Sequence, residues 1–226
     1  MKLLSKKEKI YLLDNDNFDF PTLDMMKGDL VAIGGDFHPQ RLINAYKNGI
    51  FPWFIDSLGY IHWYSPKKRM ILYPQDFKLS KSLKKIIDRN IFEVKSNEAF
   101  VEVMKNCKNI KRKDEDSSWI DENFIKAYTN LYHLDFANSI ETYQQGKLVG
   151  GLYGVFIDNI FCGESMFSSV SNASKVAFYH LCKYSLQNGI KLIDCQVYND
   201  HLASLGAYEI SREEYFKLLP HSLSSK

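Results

Sequence analysis

The sequence predicts an α+β protein in two parts, a small N-terminal α/β domain and a larger domain on a mixed, mainly antiparallel sheet. Three observations carry that reading. "ANSIETYQ" (137–144) and "KLVGGLYGVF" (147–156) flank Gln145-Gly146 like the arms of a hairpin. "NIFCGESMF" (159–167) follows a turn at Asp158 as a third strand. A long helix and one more strand come next, so strands cluster and do not alternate strictly with helices.

Residues 29–54 read as a short extended stretch, a Gly-Gly turn and a helix opened by Pro39. "MILYP" (70–74) is a short strand, "LSKSLKKIIDR" (79–89) an amphipathic basic helix, and "IFEV" (91–94) a strand. A helix runs from about Glu98 to Cys107, and "DENFIKAYTNLYHL" (121–134) is helical. The long helix spans about Asn172 to Asn188, with Ser171 or Asn172 as its N-cap and Gly189 as its stop. A strand over 191–197, a short helical turn and a helix at "SREEYFKLL" complete the chain. Character changes at the charged stretch "NIKRKDEDSS" (109–118), which divides a basic domain, 1–112, from a second domain, 113–226.

The 226 residues have an ordinary globular composition and a net charge of only +2. The charge is unevenly spread: residues 61–113 hold 14 Lys and Arg against 5 Asp and Glu, while 114–226 hold 8 against 14. A basic middle is the footprint of a polyanion partner; solvated helix faces are the bland alternative. The N-terminus lacks the apolar run of a signal peptide and no segment is long enough to span a bilayer, so a cytoplasmic protein without membrane contact is expected. Four scattered cysteines have no metal-type spacing and read as thiols in or near the core.

The candidate chemistry starts at "KLIDCQVYNDH" (191–201), an apolar strand interrupted by Asp194 and Gln196. A period of two puts both side chains on one face, and a buried carboxylate is costly without partners. Glu164 in "FCGESMF" is a second carboxylate in an apolar strand. If the two strands are neighbours around the long helix, Glu164, Asp194 and Gln196 converge, to hold an amine, orient an ester or relay a proton; a structural polar network is the alternative. "GESMFS" is not a G-x-S-x-G elbow, the six histidines show no metal spacing, and the glycines of "VGGLYG" suit a close backbone or ligand approach better than a phosphate loop. Trp53, Trp63 and Trp119 fall in loops or at element edges around the basic region, where they could cap the core or stack on bases.

"AIGGDFHPQRLINAYKNGIFPWF", "HWYSPKKR", "FCGESMFS", "NASK" and "LIDCQVYNDHLASLGAYEI" closely resemble the bacterial leucyl/phenylalanyl-tRNA–protein transferases, in order and spacing from about residue 29 to 210. The resemblance implies a GNAT-like acyltransferase core in the larger domain. It implies transfer of Leu or Phe, and less well Met, from aminoacyl-tRNA to a protein's N-terminal Arg or Lys, marking that protein for degradation. No cofactor or metal is implied, and a monomer is expected.

Residue by residue, the resemblance assigns Asp194 and Gln196 to promoting attack by the acceptor amine. Glu164 falls at the reaction centre and Asn199 at the incoming amine. Trp53 and Trp119 match contacts to the terminal adenosine, and Leu152, Phe161, Met166, Phe178 and Ile193 an apolar side-chain pocket. Lys67, Lys68, Arg69, Lys81, Lys84, Lys85 and Arg89 are the candidates for tRNA phosphates. Tyr64 stands where the family commonly has tryptophan, and Leu152 where methionine is expected. An acetyl-CoA-dependent acyltransferase is disfavoured because "SSVSNASK" has no glycine turn for a pyrophosphate. A non-catalytic RNA-binding module would leave the buried polar residues without a purpose.

Overall fold

The structure, a computed structural model, describes residues 1–5, 8–110 and 120–220. The chain forms two compact units. The first comprises Met1–Met70 with the residues from Glu209 onward, the second Ile71–Tyr208. The first contains β1 (Lys2–Ser5), β2 (Ile10–Leu13), β3 (Leu30–Gly34), α1 (Pro39–Lys47), β4 (Phe51–Ile55) and β5 (Ile61–Tyr64). Its sheet has the order β1-β2-β3-β5-β4, antiparallel except for the β2–β3 pair. Pro39 opens α1, and Leu42, Ala45 and Tyr46 form its buried face.

β6 (Lys68–Leu72) crosses the division between the units, as does β12 (Tyr208–Ser211). The second unit holds α2 (Lys81–Asp88), β7 (Glu93–Ser96), α3 (Phe100–Asn109), α4 (Glu122–His133), β8 (Ala137–Gln144), β9 (Lys147–Ile157), β10 (Ile160–Ser168), α5 (Ala173–Gln187), β11 (Leu192–Gln196) and α6 (Asp200–Ser204). α7 (Arg212–Leu218) follows β12 and belongs to the first unit. The second sheet runs β12-β6-β11-β10-β9-β8-β7, with β10–β11 parallel and β7 through β10 antiparallel, the mixed sheet expected. The β8–β9 turn is as predicted: Gln145 and Gly146 both take positive φ, 51° and 73°, the signature of a tight hairpin.

Three expectations change. The division falls between Met70 and Ile71, not near residue 112, because β7 pairs with β8 and α3 packs on β8, β9, β10 and α4. The chain also returns to its first unit: Arg212, 4% exposed, donates to the carbonyls of Gly28 and Ser65 at 2.8 Å each. The segments around Trp53 and Trp63 are strands, not loops, and Trp63 is core, fully buried with Nε1 donating to the Gly34 carbonyl at 2.8 Å. Asn172 does begin α5, with a φ of 70°, but its side chain makes no cap; Ser168 Oγ accepts from the Ser174 amide at 3.3 Å. All four cysteines are buried thiols, as expected.

Glycines in β9 set the spacing of the second unit. A Cβ on Gly150 would lie 2.5 Å from Ala173 Cβ, so its absence lets the start of α5 press against the sheet. A Cβ on Gly154 would lie 2.3 Å from the Cys162 carbonyl oxygen and 2.5 Å from Phe161 Cζ, so the Phe161 ring occupies that space.

Candidate active site

β10 and β11 pair through Ile160↔Leu192, Phe161↔Ile193 and Cys162↔Asp194, where the parallel pairing ends. Beside β9, the register of β10 shifts between Gly163 and Ser165, which makes Glu164 the extra residue of a bulge. Bulges re-aim side chains, and here the carboxylate turns to a tyrosine and an amide. Tyr128 of α4 donates its hydroxyl to Glu164 Oε2 at 2.9 Å, and Gln196 Nε2 donates to Glu164 Oε1 at 2.8 Å. Thus a side-chain hydrogen bond joins the strands just beyond the end of their backbone ladder.

Gln196 has a φ of 64°, a left-handed conformation that costs about 1–2 kcal/mol in a residue with a Cβ. Two bonds hold it: its side chain to Glu164, and its backbone amide to Asp194 Oδ1 at 2.9 Å. Asp194 is fully buried and Glu164 is 8% exposed. The three expected residues therefore converge, although Asp194 reaches Gln196 through the backbone amide. Asn199 stands three residues on as the N-cap of α6, its Oδ1 accepting from the Leu202 amide at 3.2 Å.

An apolar pocket lies on the other face of the sheet. Leu152, Phe161, Ile140 and Phe156 line it with Leu181 and Tyr184 of α5, and Ser96, Asn97, Asn138 and Ser139 complete the wall. The faces follow from strand period: Tyr153 meets the rings of Phe100 and Tyr128 on α3 and α4, while the adjacent Leu152 faces α5. Of the expected pocket residues, Leu152 and Phe161 line it. Met166 is the register partner of Leu152 and Ile193 that of Phe161, but neither lines the pocket itself. Phe178 does not line it either and packs against Phe77 at 6.1 Å, whereas Leu181, one turn further along the same helix, does line it.

The basic candidates also divide. Lys67, Lys68, Lys81, Lys84, Lys85 and Arg89 are exposed, with Lys84 paired to Asp88 at 2.7 Å and Lys68 near Glu209 at 3.8 Å. Arg69 contradicts its assignment to phosphate. It is 1% exposed, donates to the Gly49 carbonyl at 3.2 Å, and lies over the rings of Phe51 and Tyr215 at 4.8 and 4.6 Å. Lys68 stands exposed at the start of β6, while Arg69 is buried with the rest of the strand, Met70, Ile71 and Leu72. Trp53 is half-buried on β4, its ring edge-on to Tyr64 at 4.7 Å. Trp119 lies outside the described residues.

Sequence reasoning missed Tyr128, Leu181, Ile140 and Phe156. The helix "FIKAYTNLYHL" offers only an apolar period, and nothing in it sets Tyr128 apart from Tyr132. Leu181 was within reach, three residues from Phe178 on the same helix face.

Fold and site together define an α+β protein with buried carboxylates and an amide that can hold an amine on one face of its second sheet, and an apolar pocket on the other face, the two sharing strand β10. Residues 71–220 match the family described as leucyl/phenylalanyl-tRNA protein transferase, and residues 35–67 match its N-terminal domain. Similar proteins carry that name. One from Flavobacterium johnsoniae is 47% identical over 93% of this chain and 99% of its own length, and one from Flavobacterium psychrophilum is 49% identical over 88% and 95%. One from Dechloromonas aromatica is 48% identical over 87% and 85%. The chain belongs to the leucyl/phenylalanyl-tRNA–protein transferase family. Among solved structures, FemX aligns with a TM-score of 0.46 at 12% identity over 87% of this chain and 75% of its own. A GCN5-related N-acetyltransferase from Kribbella flavida gives 0.39 at 9% over 80% and 65%. At these scores the structural likenesses add nothing to the assignment.

Proposed function

We propose that this chain transfers Leu or Phe, and less well Met, from aminoacyl-tRNA to the N-terminal Arg or Lys of a protein, which is thereby marked for degradation. The reaction takes place in the cytoplasm, on a monomer, without cofactor or metal. The acceptor amine attacks the ester carbonyl carbon, a C–N bond forms, and the ester C–O bond breaks. The ribose hydroxyl leaves with the proton that the amine gives up. An amide is more stable than an ester, so the step runs downhill.

The observation that carries this reading is the Glu164–Gln196 bridge at the mouth of the β10–β11 fork, with Asp194 holding the Gln196 amide. Two carboxylates and an amide suit an incoming basic N-terminus, and Asn199 follows on the next turn. Gln196 is fixed in place by both neighbours, which is what orientation requires; well-aligned reactants gain about 7–11 kcal/mol over free encounter. Asp194 orients Gln196 and draws the amine proton. The aminoacyl group reaches through the fork where β10 and β11 part, so that Leu152 and Phe161, with Met166 and Ile193 beside them on the strands, receive its side chain on the far face of the sheet, while Trp53 and Trp119 take the terminal adenosine. The exposed cations Lys81, Lys84, Lys85 and Arg89 of the α2 region, with Lys67 and Lys68, take phosphates. Residues 71–208 form the GNAT-like catalytic part.

The test is transfer of labelled Phe from Phe-tRNA to a protein with N-terminal Arg, without ATP, metal or CoA, on wild type and Asp194→Ala. Transfer by wild type that the substitution abolishes, with Phe-tRNA still bound, supports the reading. Binding without transfer to any basic N-terminus overturns it.

A further inference from the structure

We propose that the outer face of the β4–β5 hairpin is a stacking strip for unpaired nucleobases, those that precede the aminoacylated nucleotide at the 3′ end of the tRNA. The proposal rests on the aminoacyl-tRNA reading above. Four rings touch in sequence across this face. Trp53, assigned above to the terminal adenosine, begins the row and meets Tyr64 at 4.7 Å; Tyr64 meets Phe54 at 6.3 Å, and Phe54 stacks on His62 at 4.4 Å with 20° between planes, so the rings beyond Trp53 are those left for the preceding bases.

All four are half-buried, whereas Ile61 and Trp63, which alternate with His62 and Tyr64 along β5, are 4% and 0% exposed. The hairpin thus keeps one face for the core and lays a row of rings on the other. β4 is the edge strand of its sheet, and its register slips between Pro52 and Phe54, so the bulge leaves Trp53 without a cross-strand partner. Asp56 fixes the far end: its carboxylate accepts from the amides of Leu58 and Tyr60 and meets His62 Nε2 at 2.9 Å, which holds the imidazole flat against Phe54.

Cations stand at the near end. Tyr64 pairs with Leu30, and the neighbouring Asp29 accepts from the amides of Ser65 and Lys67, each at 2.8 Å, which ties the exposed Lys67 to the same end of the sheet as Tyr64. Lys68 follows, its side chain 77% exposed. A row of rings leading to exposed lysines complements a single strand, whose bases stack and whose phosphates need cations.

The experiment compares two donors, 3′-phenylalanyl adenosine and the phenylalanyl CCA trinucleotide, with wild type, Phe54→Leu and Phe54→Tyr. Wild type should prefer the trinucleotide. Phe54→Leu should lower kcat/KM for the trinucleotide about tenfold and leave the adenosine donor unchanged, while Phe54→Tyr, which keeps the ring, retains the wild-type preference. His62→Leu, at the far end of the row, should repeat the Phe54→Leu pattern. Equal use of both donors by wild type overturns the strip, as does a loss in both leucine variants that is the same for both donors, or no loss with the trinucleotide. Wild type that transfers from neither donor removes the transferase reading, and the strip with it.

Discussion

At the scale of single residues, the centre depends on few atoms. Tyr128→Phe removes the hydroxyl on Glu164 Oε2 and leaves that buried oxygen without this donor, a loss of about 1–3 kcal/mol in urea unfolding. The same variant should transfer more slowly, because Glu164 then holds Gln196 less firmly. Two histidines set a pH dependence. Burial, and then Lys175, holds His201 below the ordinary imidazole range, and burial, then Lys183, does the same to His180. The folded state therefore favours both rings neutral, and the unfolded chain binds more protons as pH falls below the ordinary imidazole value. Stability should be flat above that value and decline below it, which urea melts at pH 7.5 and 5.5 would read. His201→Gln should remove part of the decline. Asp194, Gln196 and Glu164 were legible because polar residues in apolar strands demand partners. Tyr128 was not, since a helix tyrosine gives no sign of what its hydroxyl reaches.

At the scale of elements, the close approach of α5 to β9 is the test of packing. Gly150→Ala would force a Cβ to within 2.5 Å of Ala173 and 2.7 Å of Thr142 Oγ1, so the start of α5 must move. Overpacking of this kind costs about 1–3 kcal/mol, or a thermal midpoint lower by about 2–12 °C. The pocket gives a second prediction. Leu181→Phe fills space between α5 and Leu152 and should reduce transfer of Phe more than transfer of Leu, measured as the ratio of kcat/KM for the two donors. The β8–β9 hairpin, β10, α5 and β11 could be read directly, since period two, a tight-turn pair and a glycine stop are local signals. The strands around Trp53 and Trp63 could not: Pro52 and the aromatic clusters obscure the alternation, and the pairing of β5 with β3 is long-range.

At the scale of the whole molecule, the sequence suggested a boundary at its change of composition, but the packing places it where β6 passes from one unit to the other. Composition follows solvent, whereas a domain follows its core, and residues 71–109 share theirs with β8 to β10. The same distinction separates Arg69 from its neighbours. Arg69→Ala should destabilise the fold by about 2–4 kcal/mol and leave the salt dependence of tRNA binding unchanged. Lys81→Ala with Lys85→Ala should leave stability unchanged and flatten that dependence, by about one unit of slope for each phosphate no longer neutralised. In the proposed reaction the Glu164–Gln196–Asp194 cluster carries transfer, not binding. This is tested most directly by the single-turnover rate at saturating Phe-tRNA for wild type and Gln196→Ala, alongside the Phe-tRNA dissociation constant. The expected result is a rate lower by about 100-fold or more with the dissociation constant unchanged. An unchanged rate, or a loss fully explained by weaker tRNA binding, would contradict it.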